Sequence, residues 1–78
     1  MTKERWLAAS DLAALAKRFR IKAKKSRAEA ARDMNVSQTS IFHAEESPDK
    51  SLLGLRTRMI EAYSPFQVLG PGFRLENK

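Results

Sequence analysis

Residues 26–46 have the sequence SRAEAARDMNVSQTSIFHAEE, which predicts two short helices joined by a tight turn. Ser26 and Glu29 have the spacing of a capping box, in which each side chain bonds the main-chain amide of the other residue. A helix is therefore predicted over about 27–34. It ends near Asn35, because asparagine is one of the few residues besides glycine that accepts the left-handed backbone at a helix C-terminus.

A second short helix follows almost at once. Ser37 is a candidate N-cap, and Val36 and Ile41 have the spacing of a hydrophobic staple, so the helix is predicted over 38–46. Two short helices joined by about three residues cross steeply, and their contact point requires a small side chain, which Ala31 provides. The positions predicted to hold the two helices together are Ala31, Met34, Asn35, Val36, Ile41 and Ala44, with Ala30 beside them.

Further helices are predicted on both sides of this segment. Upstream, Leu12, Ala16 and Phe19 recur at helical spacing, which predicts a helix over about 11–24 with Ser10 as its N-cap. Trp6 and Leu7 either extend this helix or form a short turn against it. Downstream, apolar residues predict a helix over about 52–63, which Pro65 closes.

The residue pattern changes from helical to strand-like at the end of the chain. Residues 66–69 and 73–76 read as two short strands around the turn 70–72. Their apolar side chains either pack on the core of the same chain or form a dimer contact. The chain is accordingly divided into a domain over 1–64 and a C-terminal strand or arm over 65–78, a candidate dimerisation element.

Length, composition and charge restrict the classes of function that the chain can have. A chain of 78 residues suits one small domain, and the absence of cysteine removes disulfides and thiolate metal sites. The formal charge is +6, and eight of the fifteen lysines and arginines fall within 17–32, as expected of a protein that meets a polyanion. No segment is long and apolar enough to span a bilayer. We expect a cytoplasmic, nucleoid-associated protein that is not an enzyme and has no cofactor or metal.

The residues over 12–63 resemble the lambda-repressor-like helix-turn-helix family, the phage repressor and Cro type also called XRE. The matching positions are Arg20, Ala31, Asn35, Val36, Ile41, Ala44 and Glu45. The chain departs from the family at Arg27, where glutamine is usual, and at Lys24-Lys25, where a glycine and an apolar residue are usual. The resemblance implies an all-α domain of four to five helices, here with a short C-terminal hairpin, that binds DNA through the helix-turn-helix over 27–46.

The resemblance also implies an internal salt bridge between Arg20 and Glu45. Helical periodicity independently places Arg20 four residues after Ala16, on the apolar side of the first helix. A charge on that side requires a partner.

One face of the helix over 38–46 is expected to read DNA bases. Ile41, Ala44 and Glu45 face inward at helical spacing, so Gln38, Thr39, Phe42, His43 and Glu46 face outward. Gln38 suits adenine, Thr39 offers a hydroxyl and a methyl, and His43 donates to guanine. Phe42 either contacts a thymine methyl or covers part of a dimer surface. The resemblance points to Gln38, Thr39 and His43 as well.

Phosphate contacts are expected around the two helix N-termini and from nearby cations. The candidates are Ser26, Arg27, Ser37, Ser40 and Lys50, with Lys24 and Lys25 adding long-range attraction. Such contacts release counterions, so binding weakens as salt rises.

The sequence therefore predicts a prokaryotic or phage transcriptional regulator, repressor-like, that binds a palindromic site on double-stranded DNA as a homodimer. Two alternatives stay open. One is an antitoxin or other interaction module whose partner protein, a toxin or an antirepressor, matters more than DNA. The other is an architectural protein that binds DNA without regard to sequence.

Overall fold

The computed structural model describes residues 8–69 and 73–78. These residues form four helices followed by a two-stranded hairpin, so the chain is predominantly helical. The elements are α1 (Ala9–Lys22), α2 (Arg27–Met34), α3 (Gln38–Glu46), α4 (Leu53–Tyr63), β1 (Phe66–Leu69) and β2 (Arg74–Asn77). The expectations for Trp6, Leu7 and the turn 70–72 lie outside the described residues.

Helix α1 begins earlier than predicted. Its N-cap is Ala8, and the proposed N-cap Ser10 is already inside the helix, so that prediction is wrong. Asp11 provides the physical reason, because its carboxylate accepts a hydrogen bond from the amide of Ala8 at 2.8 Å. A carboxylate in the first turn also interacts favourably with the helix dipole.

The other end of α1 is a Schellman motif. The amide of Lys25 donates to the carbonyl oxygen of Arg20 at 3.1 Å, and the amide of Lys24 donates to that of Ile21 at 2.9 Å. Lys24 has φ 61°, a left-handed conformation that glycine adopts more readily. The helix therefore ends at Lys22, two residues before the predicted end.

The cap at the start of α2 and the turn between α2 and α3 form as the sequence predicts. The Ser26 hydroxyl accepts from the amide of Glu29 at 3.1 Å, and the Glu29 carboxylate accepts from the amide of Ser26 at 2.8 Å. Asn35 ends α2 in the left-handed region, with φ 59° and ψ 48°. The Ser37 hydroxyl then caps α3 by accepting from the amide of Ser40 at 3.1 Å. These caps fix both ends of the turn.

The core lies where α1, α2, α3 and α4 meet. Ala31, in α2, is one of its buried residues. Helix α4 contributes Leu55, Met59 and Ile60, whereas Leu53 at its start is 40% exposed. The buried cluster is Leu12, Ala16, Ala30, Ala31, Met34, Ile41, Ala44, Leu55, Met59 and Ile60.

The hairpin packs on the core of its own chain. Strands β1 and β2 pair antiparallel, with Phe66 opposite Asn77. The ring centroids of Phe19 and Phe66 lie 6.0 Å apart, which joins β1 to α1. Val68, on the same strand, packs against the buried cluster, as Phe73 and Leu75 do from the other side of the turn. The strand β2 begins at Arg74, one residue later than predicted.

Within the described ranges, no helix has the length and apolar character that crossing a membrane requires.

Candidate nucleic-acid interface

Helix α3 has one buried face and one exposed face. Ile41, Ala44 and Glu45 are buried, which fixes the rotation of the helix against the rest of the fold. Gln38 and Thr39 are exposed at its N-terminal end. The residues that meet base edges in a major groove are those at this end of a helix. The structure therefore places two of the four predicted base-reading residues at the accessible N-terminal end of α3.

Phe42 and His43 continue the exposed face towards the C-terminus. Phe42 is 44% exposed, and the guanidinium carbon of Arg27 lies 5.1 Å from the centre of its ring. The rings of Phe42 and His43 contact each other edge to face, with their centroids 5.5 Å apart. Half-buried His43 then contacts Ser47, whose Oγ lies 3.1 Å from Nδ1. This row of contacts holds Phe42 and His43 in place.

Glu45 is the centre of a buried ionic cluster. Its carboxylate accepts two hydrogen bonds from Arg20, at 2.5 and 3.0 Å, and a third from Arg27 at 3.1 Å. The remaining Nη1 of Arg20 donates to the carbonyl oxygen of Lys25 at 2.8 Å. The cluster therefore ties α1 and the start of α2 to α3.

Glu46 extends the same cluster to the surface. Its carboxylate accepts from Lys17 at 2.6 Å and from Arg27 at 2.9 Å. The bond from Lys17 is the main reason that the pKa of Glu46 lies below its ordinary value, with the charge of Arg27 acting in the same direction. Glu46 is exposed, as expected of the outward face, but it is held to α1 and α2.

The predicted phosphate-binding residues differ in their exposure and in the partners that they already have. The hydroxyls of Ser37 and Ser40 lie 3.0 Å apart, and Ser37 also caps its own helix. Lys24 and Lys50 are exposed, whereas Lys25 lies 3.5 Å from a carboxylate oxygen of Asp33. Among the cationic candidates, Lys24 and Lys50 are thus the exposed ones.

Arg27, proposed for phosphate binding, is half-buried and already engaged by Glu45, Glu46 and Phe42. The sequence indicates its place at the start of α2 but not these partners. They depend on how α2 packs against the far end of α3. A phosphate that approached Arg27 would compete with Glu46.

No family model, curated protein or solved structure matches this chain. The comparisons identify no family.

Arg56 is a structural residue that the sequence interpretation missed. It lies in α4, is 1% exposed, and donates to the carbonyl oxygens of Ala44 at 2.8 Å, Ser47 at 2.8 Å and Lys50 at 3.1 Å. Burial lowers the pKa of its guanidinium, and the charge of Asp49 partly offsets that effect. Like Arg20, Arg56 lies on the apolar side of its helix, because Met59 and Ile60 follow it at helical spacing.

Arg56 completes the C-terminal end of α3. The last carbonyl groups of a helix have no partners within the helix, and a cation there is also favoured by the helix dipole. Arg56 provides both the donors and the charge. Glu45 and Arg56 thus hold the C-terminal half of α3 from opposite sides, which leaves Gln38 and Thr39 in solvent.

A metal site is not evident in the described parts of the chain, where no three histidine or acidic side chains are grouped closely enough to bind an ion.

Proposed function

We propose that this chain is a sequence-specific DNA-binding regulator that inserts α3 into the major groove. The observation that carries the proposal is that Gln38, Thr39, Phe42 and His43 share the accessible face of a helix whose other face is fixed by buried residues. A major groove admits one α-helix of this kind. A fixed opposite face is what a reading helix requires, because base contacts depend on position.

The four side chains have complementary chemistry for base edges. Gln38 pairs with the N6 and N7 atoms of adenine, and Thr39 offers a hydroxyl and a methyl group. Phe42 provides an apolar surface for a thymine methyl, supported from behind by Arg27 at 5.1 Å. His43 offers a ring nitrogen. With four such side chains on a single helix, each copy reads a short half-site.

The charge distribution supports a polyanionic ligand. The chain carries +6 overall, and Lys24 and Lys50 are exposed in the loops that flank α2 and α3. The N-termini of α2 and α3, capped by Ser26 and Ser37, offer main-chain amides to phosphate groups. We propose that these groups orient the protein on the duplex, while α3 reads the sequence.

A homodimer is part of the proposal. A symmetric pair would place two α3 helices about 34 Å apart, one turn of DNA, on a palindromic site. Such a protein would be a lambda-repressor-like regulator of prokaryotic or phage origin that acts in the cytoplasm of the cell. Because the hairpin packs on its own core, the exposed Leu53 of α4 is the more accessible apolar side chain for a dimer contact.

The test is a binding-site selection on random duplexes, followed by measurement of affinity for the enriched site. Gln38→Ala should cost about 1–3 kcal/mol at the cognate site and relax the sequence preference at one position. Gln67→Ala, in β1, is the matched control and should bind as the wild type does. Equal loss on every sequence would show that Gln38 reads no base, and a failure to enrich any site would indicate sequence-indifferent binding.

A second candidate function, binding of a partner protein, is favoured by a groove on the outer side of α1. Ile21, 55% exposed, lies in it beside Arg18 and Lys22, which form no ion pair within the described part of the chain. The lining is Ala14, Lys17, Arg18, Ile21, Lys22, Glu45 and Glu46. An apolar side chain between two cations fits a partner segment with an apolar residue flanked by acidic ones.

Selection from a displayed random-peptide library tests this candidate. Peptides with an apolar residue between acidic ones should be enriched on the wild type, and Ile21→Asp should abolish their binding without affecting DNA binding. Gln67→Asp is the matched control, since it adds the same charge in β1, outside the groove. Equal binding by the Ile21→Asp variant would contradict the candidate.

A further inference from the structure

The two ring nitrogens of His43 have different surroundings. Nδ1 lies 3.1 Å from Oγ of Ser47, one helical turn later. Nε2 has no hydrogen-bond partner among the residues that the structure describes. The ring is therefore bonded to the protein on one side and available to a ligand on the other.

Ser47 is held in place by its main chain. Its amide donates to the carbonyl oxygen of His43 at 3.0 Å, and its own carbonyl accepts from Nη2 of Arg56 at 2.8 Å. Both polar groups of the Ser47 backbone are thus used, which restrains the main chain that carries the hydroxyl. The buried guanidinium of Arg56 fixes this arrangement from inside the protein.

The ring plane of His43 is restrained as well. The Phe42 ring contacts it edge-on, at an interplanar angle of 70° and a centroid distance of 5.5 Å. Arg27 lies against the same Phe42 ring. The imidazole consequently has a fixed position, and the one variable left for its neutral form is which nitrogen carries the proton.

A hydrogen bond to one imidazole nitrogen determines the protonation of the other. The hydrogen bond between the Ser47 hydroxyl and Nδ1 can run in either direction, depending on the tautomer of the ring. An Nδ1 that accepts leaves the ring proton on Nε2. In the major groove guanine offers two acceptors, N7 and O6, whereas cytosine offers only an amino donor.

We propose that Ser47 is a positioning residue that sets the base preference of His43: its hydroxyl keeps His43 in the Nε2–H form, which selects guanine and rejects cytosine at one position of the half-site. The inference rests on the proposed function and extends it to a residue outside α3. Ser47 itself does not contact DNA in this arrangement. It acts through the imidazole.

The first experiment uses the free protein, so its outcome does not depend on DNA binding. Long-range ¹H–¹⁵N correlation spectra of the His43 ring, recorded at mildly alkaline pH where an ordinary imidazole is neutral, distinguish the two forms. The wild type should show the Nε2–H form, and Ser47→Ala should show a mixture of both. A wild-type ring protonated on Nδ1 overturns the inference whatever the protein binds.

The second experiment measures binding to the selected site and to a version with guanine replaced by cytosine at the His43 position. The wild type should prefer guanine by about tenfold, as expected for one good base contact. Ser47→Ala should reduce that ratio to about twofold and leave the preference at the Gln38 position intact. Ser47→Thr keeps the hydroxyl and should restore the wild-type ratio, and Ser51→Ala, the matched serine control, should leave it unchanged.

The outcomes separate the two proposals. An unchanged guanine preference in Ser47→Ala overturns the role of Ser47 while the DNA-binding function stands. If the wild-type ring has the Nε2–H form but no duplex is enriched, the DNA-binding function fails, and the base-selecting role of Ser47 fails with it. Thermal melting of each variant shows whether a changed ratio comes from lost folding, and Ser47→Thr remains informative if Ser47→Ala does not fold.

Discussion

Nε of Arg20 lies 2.5 Å from Oε2 of Glu45, and this buried ion pair joins the last turn of α1 to the C-terminal half of α3. The two carboxylate oxygens of Glu45 accept from Arg20, and one of them also accepts from Arg27. Arg20 is otherwise bonded to a single carbonyl oxygen, that of Lys25. The pair is therefore asymmetric: Glu45 has a second cation, whereas Arg20 has no second carboxylate.

This asymmetry predicts unequal effects of the two single substitutions. Glu45→Gln should lower the free energy of unfolding by on the order of 3 kcal/mol, because it leaves the buried Arg20 without a counter-ion. Arg20→Met should cost about 2 kcal/mol, since Arg27 still faces Glu45. Urea denaturation monitored by circular dichroism measures both.

The matched control is Arg18→Met on the exposed side of α1, where a change within about 0.5 kcal/mol is expected. The double variant Arg20→Met with Glu45→Leu removes both charges and should recover much of the loss. Losses below about half a kcal/mol in both single variants would place the pair in effectively solvated surroundings.

Much of the fold follows from local signals in the sequence. The Ser26 and Ser37 caps and the left-handed Asn35 mark the ends of α2 and α3, and each is a side chain or backbone preference that acts within a few residues. Arg20 was assigned to the apolar side of α1 from periodicity, and its partner Glu45 came from the family resemblance. The lambda-repressor-like assignment itself stays a prediction.

What the sequence did not indicate depends on tertiary packing. Arg56, in α4, donates to the carbonyl oxygens of Ala44 in α3, of its C-cap Ser47 and of Lys50 in the loop that follows, contacts that exist only when α4 packs against this part of the chain. Arg27 binds Glu46 for a similar reason, since the contact joins the start of α2 to the end of α3. Local preference also failed at Ser10, where Asp11 competes by bonding the amide of Ala8. The exposed face of α3 was predictable, but the contacts behind it were not.

The contacts of Arg56 predict a stability effect. Arg56→Met should lower the free energy of unfolding by about 2 kcal/mol, because carbonyl groups at the end of α3 lose their donors. Arg56→Lys retains the charge but has fewer donors, and should lie between Arg56→Met and the wild type. Thermal and urea unfolding measure the series. If Arg56→Met were as stable as the wild type, water would be replacing the guanidinium.

Lys24 is in a backbone conformation that favours glycine. With φ 61°, it pays a steric cost on the order of 1 kcal/mol that glycine avoids, while glycine loses some of this gain through its greater freedom in the unfolded chain. Lys24→Gly should therefore raise the free energy of unfolding by about 0.5 kcal/mol. Lys24→Ala is the control, because it removes the same charge without relieving the backbone. An equal gain in both variants would attribute the effect to charge.

Acid should destabilise the protein through carboxylates whose pKa is lowered by folding. The pKa of Glu46 falls below its ordinary value of 4.5 mainly because Lys17 donates to it, and that of Asp33 falls below 3.8 mainly because the Tyr63 hydroxyl donates to it at 2.6 Å. A lowered folded pKa contributes stability above the unfolded pKa, and this contribution is lost as pH falls through the folded value. We expect the free energy of unfolding to decline from about pH 5 downwards.

Two variants test this pH dependence. Glu46→Gln should be less stable than the wild type at neutral pH, and the difference should vanish in strong acid, where Glu46 of the wild type is protonated. Tyr63→Phe should do the same through Asp33. Denaturation curves from neutral to strongly acid pH measure both. A stability difference that persists unchanged in acid would mean that packing, and not the lowered pKa, is responsible.

The crossing of α2 and α3 is tested at Ala31, which is 6% exposed within the buried cluster. A leucine there adds volume to the buried cluster that α2 shares with α3, and overpacking of this kind costs about 1–3 kcal/mol. Ala31→Leu should lower the melting temperature accordingly, while Ala14→Leu on the exposed side of α1 should leave it nearly unchanged. If α3 reads bases as we propose, a partly folded Ala31→Leu variant should also lose sequence preference before it loses DNA affinity. A variant that melts and selects DNA as the wild type does would show that the angle between α2 and α3 does not depend on a small residue at this position.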